Sequence, residues 1–295
     1  MQISMACYAL FLGVIGLSVL LAIVLGIVQG ITEFLPISSS GHLSILQNIF
    51  KVDYTEEEHL LFDVMLHLGT LIAVCIIYRK DIALMFKAGA RLMQGNMNFS
   101  AFGDPLIPPA RQLMFVVVAT LPLVIVLFFS KAAASLFSMM GFIGFALAAN
   151  GTLLYAVDKL IHSGKKNSRN MSFKDAIVIG LAQAVAVIPG ISRSGVTISV
   201  GMSRGLSKSF AMRFSMLLSI PAVVGSLLVS LARAIGTGIT WKYFPAYIVG
   251  MIFAAITGFL AINLLNRIIK RGRFGKLAYY CWGVGAIVML LSFVI

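Results

Sequence analysis

Charged residues are scarce in this sequence, and their scarcity excludes an ordinary soluble domain. Of the 295 residues, 11% are charged and 60% are hydrophobic, whereas soluble domains carry about 25% charged and about 45 to 50% apolar residues. Apolar windows of roughly 20 residues, enough to cross a bilayer, cover 59–78, 112–130, 138–157, 209–231, 244–265 and 277–295. The chain is therefore predicted to be an all-α, multi-pass membrane protein, with residues 1–295 forming a single integral membrane domain.

Cysteine and N-terminal charge are also scarce. The three cysteines show neither the pairing nor the spacing of disulfide or metal sites, so we give them no functional role. The stretch from Met1 to Thr32 is apolar with no charge before Glu33, whereas a cleavable signal peptide normally starts with basic residues, so we expect none here. The sequence leaves open whether residues 1–20 extend the first broken helix or form an extra segment.

The positive charges are placed as they are in membrane proteins. The net charge is +13, a value that also occurs in nucleic-acid-binding proteins. Here, however, 18 of the 23 lysines and arginines lie on one side of the predicted spans, and four lie on the other side with an acidic cluster at Asp53 and Glu56 to Glu58. Because basic loops stay in the cytoplasm, the charge indicates topology, and we expect the lipid bilayer rather than nucleic acid as partner.

The chain repeats itself at an offset of 154 residues. AIVLGIVQ and ISSSG, within Ala22 to Gly41, return as AIVIGLAQ and ISRSG, within Ala176 to Gly195. Each copy is an apolar stretch that breaks at a proline and opens into hydroxyls and glycine. Three predicted spans, an odd number, follow each copy, so the halves at about 21–157 and 174–295 are predicted to be an inverted-topology internal repeat. The predicted fold therefore has six transmembrane helices and two re-entrant helix hairpins, whose tips approach each other from opposite faces.

One basic residue, Arg193, is left inside a segment at membrane depth, and Glu33 is an acidic residue in the first hairpin. Ionisable groups in a bilayer cost a few kcal/mol each, so they persist mainly where they pair or bind a ligand. The turns after the proline breaks add free backbone N–H groups and hydroxyls, which attract phosphate, and the guanidinium of Arg193 suits phosphoryl oxygens. We therefore expect a lipid phosphate or diphosphate as the ligand.

The first turn also contains the groups of an activated nucleophile. Gln29 and Glu33 are one helical turn apart and share a face. Ser39 and His42 follow closely enough for one folded turn to gather a carboxylate, a hydroxyl and an imidazole. Glu33 could instead hold Mg²⁺ or Ca²⁺ against the phosphate, because hard cations prefer carboxylate oxygens.

Structural roles are also open for several of these residues. Serines at a turn can cap backbone groups instead of binding a ligand, and this applies to Ser38, Ser40, Ser192 and Ser194. For His42 a structural hydrogen bond and a catalytic role are both open. Asp63 and His67 lie one helical turn apart on a predicted span and could be a structural pair or part of the site. We expect Asp63 and His67 to contact the site residues rather than the ligand.

Two segments resemble the undecaprenyl-diphosphatase family, which is also known for conferring bacitracin resistance. QGITEFLPISSSGH, from Gln29 to His42, is similar to that family's Glu/Gln-x-x-x-Glu element and serine-rich turn, and PGISRSGVT, from Pro189 to Thr197, is similar to its PGxSRSxxT element. FDVMLHLGTLIAV, at 62–74, is similar to a third family block. The resemblance covers nearly the whole chain, and the departures are the longer apolar N-terminus and Gln29, where some members have glutamate.

The resemblance implies an enzyme of the bacterial plasma membrane that hydrolyses undecaprenyl diphosphate to undecaprenyl phosphate and inorganic phosphate, which renews the lipid carrier for peptidoglycan synthesis. It implies help from a divalent cation, Mg²⁺ or Ca²⁺, and we expect a site accessible from the outer face; a homodimer is left open. Carried over by position, Ser39 is the nucleophile, Glu33 its activator or a metal ligand, and Arg193 the diphosphate clamp. The rest of the pocket comprises Gln29, His42, Ser192 and Thr197, with Ser38, Ser40 and Ser194 as further substrate-binding residues.

A transporter is the alternative. Inverted repeats with broken helices also build secondary carriers, and a polyprenyl-phosphate flippase would use the same anion site. A carrier needs no nucleophile and base beside that site, so Glu33, Ser39 and His42 favour an enzyme. The sequence leaves open whether Ser39 forms a covalent phosphoserine or whether a water held by Glu33 and His42 attacks the phosphorus.

Overall fold

The computed structural model describes residues 18–50, 56–95, 104–125, 136–137, 139–161, 164–237 and 243–293. In these residues the regular structure is helical, apart from an isolated backbone bridge between Lys166 and Leu206. The helices are α1 (Val19–Phe34), α2 (Ser39–Phe50), α3 (Glu56–Ile77), α4 (Arg79–Met93), α5 (Ile107–Thr120), α6 (Met140–Leu160), α7 (Phe173–Val185), α8 (Arg193–Ser203), α9 (Lys208–Thr237), α10 (Phe244–Lys270) and α11 (Leu277–Leu291).

Five helical segments of the described chain are long and apolar enough to cross a membrane. They are Ile107–Ile125, Met140–Leu160, Lys208–Ala232, Phe244–Lys270 and Phe274–Leu291. A sixth candidate is α3, whose apolar part from Leu61 to Ile77 continues into α4 across a bend of 82°. The prediction of an all-α membrane protein is confirmed at this level, with five to six spans. The sequence left open whether residues 1–20 extend the first broken helix or form an extra segment. Residues 1–17 of this stretch lie outside the described residues.

The two copies of the repeat are broken helices. In the first copy, Pro36 and Ser38 lie between α1 and α2, and Ser38 has a φ of 71°. In the second copy, the turn between α7 and α8 contains Gly190 with a φ of 92°. A left-handed residue reverses the chain within a few residues, which glycine does without strain. The chain therefore breaks in the two places where the prolines predicted it.

The first helix of each half packs against a later helix of the other half. Helix α1 packs against α10 and α7 packs against α5, while α3 also packs against α10 and α9 against α5. Helices α6 and α11 approach each other closely through small residues. A Cβ atom added to Gly285 would lie only 2.7 Å from the carbonyl oxygen of Gly144. Small residues let backbones approach closely, which favours helix association inside a bilayer.

A buried carboxylate holds the start of α7, outside the candidate spans. The side chain of Asp175 is fully buried, and its oxygens accept hydrogen bonds from Lys166 Nζ at 2.9 Å, Arg204 Nε at 3.0 Å and the backbone N–H of Ser172 at 3.1 Å. Ser172 Oγ accepts in return from the backbone N–H of Asp175, so the two residues form a capping box. Burial alone raises the pKa of Asp175, but these hydrogen bonds outweigh it and lower the pKa to about 2.

Replacing Asp175 with asparagine is expected to lower the thermal stability of the detergent-solubilised protein at neutral pH. The folded pKa of about 2 lies below the ordinary aspartate pKa of 3.8, so ionisation of Asp175 stabilises the fold, on the order of 2 kcal/mol. This contribution is complete above about pH 5 and is lost as the pH falls towards about 2. The difference in Tm between wild type and variant should therefore be constant from pH 7 to about 5 and narrow below about pH 4. A difference of the same size at every pH would contradict this role.

Candidate active site

The turn between α1 and α2 lies against the turn between α7 and α8. A Cβ atom added to Gly41 would lie 3.1 Å from the Cα atom of Gly190, so the two backbones are in contact. Asn150 of α6 joins the turns, because its Nδ2 donates to the carbonyl oxygen of Pro36 at 2.9 Å and its Oδ1 accepts from the backbone N–H of Ser192 at 3.1 Å. One buried amide therefore holds both turns in register.

Glu33 is the centre of a polar cluster at this contact. Its Oε1 accepts a hydrogen bond from Nη2 of Arg193, which belongs to the other turn. Its Oε2 accepts from Ser39 Oγ at 2.6 Å and from Gln29 Nε2 at 3.1 Å. His67 Nε2 lies 3.7 Å from the same oxygen. A single carboxylate thus joins the predicted nucleophile, the predicted diphosphate clamp and two supporting side chains.

The positions of these residues in their helices explain the cluster. Gln29 and Glu33 lie on successive turns of α1, while Ser39 is the first residue of α2 and Arg193 the first residue of α8. The N-terminal turn of a helix carries N–H groups that the helix itself does not use, together with partial positive charge. The side chain of Arg193 is 24% exposed, against 5% for Glu33. A ligand can therefore reach the guanidinium, with the carboxylate behind it.

His42 makes its hydrogen bonds away from the carboxylate. Its Nδ1 lies 2.7 Å from the carbonyl oxygen of Ser38, and its Nε2 lies 2.8 Å from the hydroxyl oxygen of Tyr280 on α11. The sequence predicted that one folded turn gathers the Glu33 carboxylate, the Ser39 hydroxyl and the His42 imidazole, and the structure brings the first two together. The described hydrogen bonds of the imidazole, however, go to Ser38 and Tyr280 rather than to Ser39 or Glu33.

The predicted substrate-binding serines of the second turn are engaged in local bonds. Ser192 Oγ accepts from the backbone N–H of Gly195 at 3.0 Å, so it caps α8. Ser192 Oγ also lies 3.1 Å from Ser194 Oγ, and Ser194 Oγ donates to the carbonyl oxygen of Leu35 in the first turn at 3.5 Å. The structural role that the sequence left open is thus present, and ligand binding by these hydroxyls stays a prediction.

The remaining predicted hydroxyls show the same behaviour. Ser38 Oγ accepts from the backbone N–H of Gly41 at 3.3 Å and lies 3.4 Å from Ser40 Oγ. Thr197 Oγ1 lies 2.6 Å from Ser215 Oγ on α9. These contacts keep the turns in shape, and binding of the ligand by Ser38, Ser40 or Thr197 is a prediction that the geometry leaves untested.

Asp63 and His67 have different described partners. His67 faces Glu33 directly, and its Nδ1 lies 2.7 Å from the backbone carbonyl oxygen of Asp63. The carboxylate of Asp63 instead accepts from Gln47 Nε2 at 3.1 Å. His67 is therefore a neighbour of the acid, and the backbone of Asp63 contacts the ring of His67.

Three residues of the site lie outside the motifs that the sequence singled out. Asn150 had a usable signal, because a lone asparagine inside an apolar span often hydrogen-bonds to another helix. Ser215 and Tyr280 had none, because a serine in a membrane helix commonly bonds to its own backbone and Tyr280 is preceded by another tyrosine, Tyr279. Only the three-dimensional arrangement distinguishes them.

The oxygen atoms around Glu33 fit a divalent cation only together with a phosphate ligand. Within the described residues, no group of three or more His, Cys, Asp or Glu side chains could hold a metal ion. The Oε1 atom of Gln29 is buried without a hydrogen-bond partner, and its Nε2 contacts Glu33. Mg²⁺ commonly takes one or two protein oxygens and completes its shell with phosphate and water. Gln29 and Glu33 offer that number.

Comparison with known proteins assigns the chain to a family. The family model described as bacitracin resistance protein BacA matches residues 22–287. A protein named undecaprenyl-diphosphatase from Methanobrevibacter smithii is 41% identical over 282 residues, which cover 94% of this chain and 98% of that protein. Proteins of the same name from Halothermothrix orenii and Desulforapulum autotrophicum are 37% and 38% identical, and the matches cover 92% of this chain and 96% and 98% of theirs. Both turns of the site lie inside the matched region, and the chain belongs to the bacitracin resistance protein BacA family.

Proposed function

We propose that this protein hydrolyses undecaprenyl diphosphate to undecaprenyl phosphate and inorganic phosphate, and so recycles the lipid carrier of peptidoglycan synthesis and confers bacitracin resistance. The observation that carries the proposal is the cluster at Glu33, where one buried carboxylate accepts the hydroxyl of Ser39 and pairs with Arg193. Relatives named undecaprenyl-diphosphatase that match over nearly their whole length support this substrate. A carrier would have no use for a hydroxyl held against a carboxylate.

Arg193 is the group that meets the diphosphate first. Its guanidinium is partly exposed and, without substrate, is neutralised by Glu33. Phosphoryl oxygens compete for its N–H groups in a two-pronged contact, and the free N–H groups at the starts of α2 and α8 add further donors. As the guanidinium turns to the diphosphate, Glu33 loses its positive partner and becomes a better proton acceptor for Ser39.

The reaction then needs two in-line attacks, each with a proton passed through Glu33. Ser39 Oγ gives its proton to Glu33 as it attacks the terminal phosphorus, the bond between that phosphorus and the bridging oxygen breaks, and Glu33 passes the proton to the leaving undecaprenyl phosphate. Water then attacks the phosphoserine and gives a proton to Glu33, which returns a proton to Ser39 Oγ as the bond between that oxygen and phosphorus breaks and inorganic phosphate leaves. If Glu33 instead holds a divalent cation together with Gln29, the cation would supply positive charge against the phosphoryl oxygens.

Six transmembrane helices and two re-entrant hairpins, related by an inverted repeat, are the arrangement that we propose around this site. The reciprocal packing of α1 on α10 and α7 on α5 supports it. With the basic loops in the cytoplasm, the pair α1 and α2 enters from the outer face of the plasma membrane, and the diphosphate reaches the site from that face. All groups of the described site come from one chain, so the mechanism does not require a homodimer.

Phosphate release from a polyprenyl diphosphate in detergent micelles tests the function, because a carrier has no second compartment there and releases none. Ser39→Ala is expected to lower the rate by at least about 10³-fold, since it removes the attacking oxygen. Acid quenching during turnover should trap phosphoserine in the wild type and not in the variant. Ser203→Ala, at the far end of α8, is the matched control and should keep wild-type activity. Vigorous hydrolysis by Ser39→Ala would indicate direct attack by water instead.

A further inference from the structure

We propose that Tyr280 is a positioning residue of the reaction, which holds His42 and, through His42, the turn that carries Ser39. This inference rests on the proposed function. Tyr280 lies on α11, the last described helix, far in sequence from both motifs, and it contacts a residue of α2.

The contact between Tyr280 and His42 is specific in distance and in orientation. The hydroxyl oxygen of Tyr280 lies 2.8 Å from His42 Nε2, across 238 residues of sequence. The two ring planes are 11° from parallel, and their centroids are 5.7 Å apart. A hydrogen bond of this length is well formed, and the stacked ring restricts the plane of the imidazole. Tyr280 thus determines both where the imidazole points and how it is rotated.

The direction of the hydrogen bonds follows from the partner at the other ring nitrogen. His42 Nδ1 faces the carbonyl oxygen of Ser38 at 2.7 Å, and a carbonyl oxygen can only accept. In the neutral ring the proton is therefore on Nδ1, and Nε2 accepts from the Tyr280 hydroxyl. The imidazole is held at both nitrogens and connects α11 to the backbone of the first turn.

The backbone that His42 holds is strained. Ser38 has a φ of 71°, a conformation that residues other than glycine rarely adopt. Its carbonyl oxygen accepts from both the side chain and the backbone N–H of His42, at 2.7 and 3.3 Å. Ser39 is the next residue, and this conformation of Ser38 directs the hydroxyl of Ser39 to Glu33, at 2.6 Å. The hold on His42 therefore stabilises the geometry of attack.

Two side chains from other helices hold the beginning of this turn. Asn150 Nδ2 donates to the carbonyl oxygen of Pro36, and Ser194 Oγ donates to that of Leu35. Tyr280 acts at the end of the turn, through His42, where the nucleophile is carried. Loss of its hydroxyl should leave the fold intact and loosen only the segment from Ser38 to His42.

Tyr280→Phe removes the hydroxyl and keeps the ring, which makes it the test. Because Tyr280 is not assigned to the diphosphate itself, kcat should fall about tenfold and KM should change by less than about twofold, as expected for one hydrogen bond that matters in the transition state. Tyr279→Phe is the matched control, because Tyr279 lies against the rings of Tyr155 and Trp282. It should keep wild-type kcat. An equal loss in both variants would overturn the proposal.

A double-mutant cycle separates positioning through His42 from a general structural effect. In a His42→Ala background, or in His42→Gln if the alanine variant does not fold, Tyr280→Phe should cost less than about twofold, because the residue through which it acts is gone. The same tenfold loss in both backgrounds would contradict the proposal.

A second measurement does not depend on activity. In ¹⁵N spectra of protein labelled at its four histidines, Tyr280→Phe should shift the ring nitrogens of one histidine, and Tyr279→Phe should shift none. Unchanged ring nitrogens in Tyr280→Phe would overturn the contact. If wild-type protein releases no phosphate from a polyprenyl diphosphate, the proposed function fails, and these spectra still decide whether Tyr280 holds His42.

Discussion

Replacing Glu33 with glutamine should reduce phosphate release by about 10²- to 10⁴-fold, the range expected when a general base is lost. Glutamine has the same shape and keeps a hydrogen-bond acceptor for Ser39, but it cannot take the proton. The measurement is kcat with a polyprenyl diphosphate in detergent micelles. Asp81→Asn is the matched control, because Asp81 also pairs with an arginine, Arg213, at 3.2 Å but lies outside the site. It should retain wild-type turnover.

The same Glu33→Gln variant should not bind the diphosphate more weakly than the wild type. In the substrate-free protein Glu33 competes for the guanidinium of Arg193, and glutamine removes that charged competitor. Binding measured with the variant, which turns over slowly, should therefore give a Kd no larger than the wild-type KM. A variant that keeps kcat within about tenfold of the wild type would show that Glu33 is not the base. A variant that loses binding instead of turnover would assign Glu33 to substrate or metal binding.

Arg193→Lys should reduce kcat/KM by about 10²- to 10³-fold, the loss typical of a missing donor to the transition-state charge. The guanidinium presents several N–H groups in a plane, so after it turns from Glu33 it can contact two phosphoryl oxygens together. A lysine has a compact charge that cannot reproduce this two-pronged contact. The measurement is again phosphate release, with Arg213→Lys as the control, since Arg213 is half exposed and pairs with Asp81. Near-normal release by Arg193→Lys would remove Arg193 from the mechanism.

The part of the site that could be predicted from the sequence is the part made by neighbours along the chain. Gln29 and Glu33 share a helix face, and Ser39 follows after a break that Pro36 predicts, so their contacts depend on local geometry. Arg193 lies 160 residues from Glu33, and two sequence observations still related them. The internal repeat aligns Arg193 with Ser39, and the charge distribution left Arg193 as the basic residue at membrane depth.

The part that could not be predicted depends on helices that meet only in the folded protein. Spacing placed His42 near Ser39, but the direction of its ring is set by Tyr280, 238 residues later. Spacing likewise placed Asp63 and His67 one turn apart, yet only His67 faces Glu33 while Asp63 meets Gln47. The joining of both turns by Asn150 of α6 is a further contact of this kind.

The sequence by itself determined that this is a helical membrane protein with two broken helices, and it predicted an anion-binding centre at their turns, because hydrophobicity, helix breaks and the cost of a buried charge are properties of short stretches of chain. Only the tertiary structure decided that one carboxylate is shared by Ser39 and Arg193 and that His42 turns towards Tyr280. The reason is physical: a hydrogen bond forms or fails within a few tenths of an ångström, and at that scale the partners are selected by the packing of helices that are far apart in sequence.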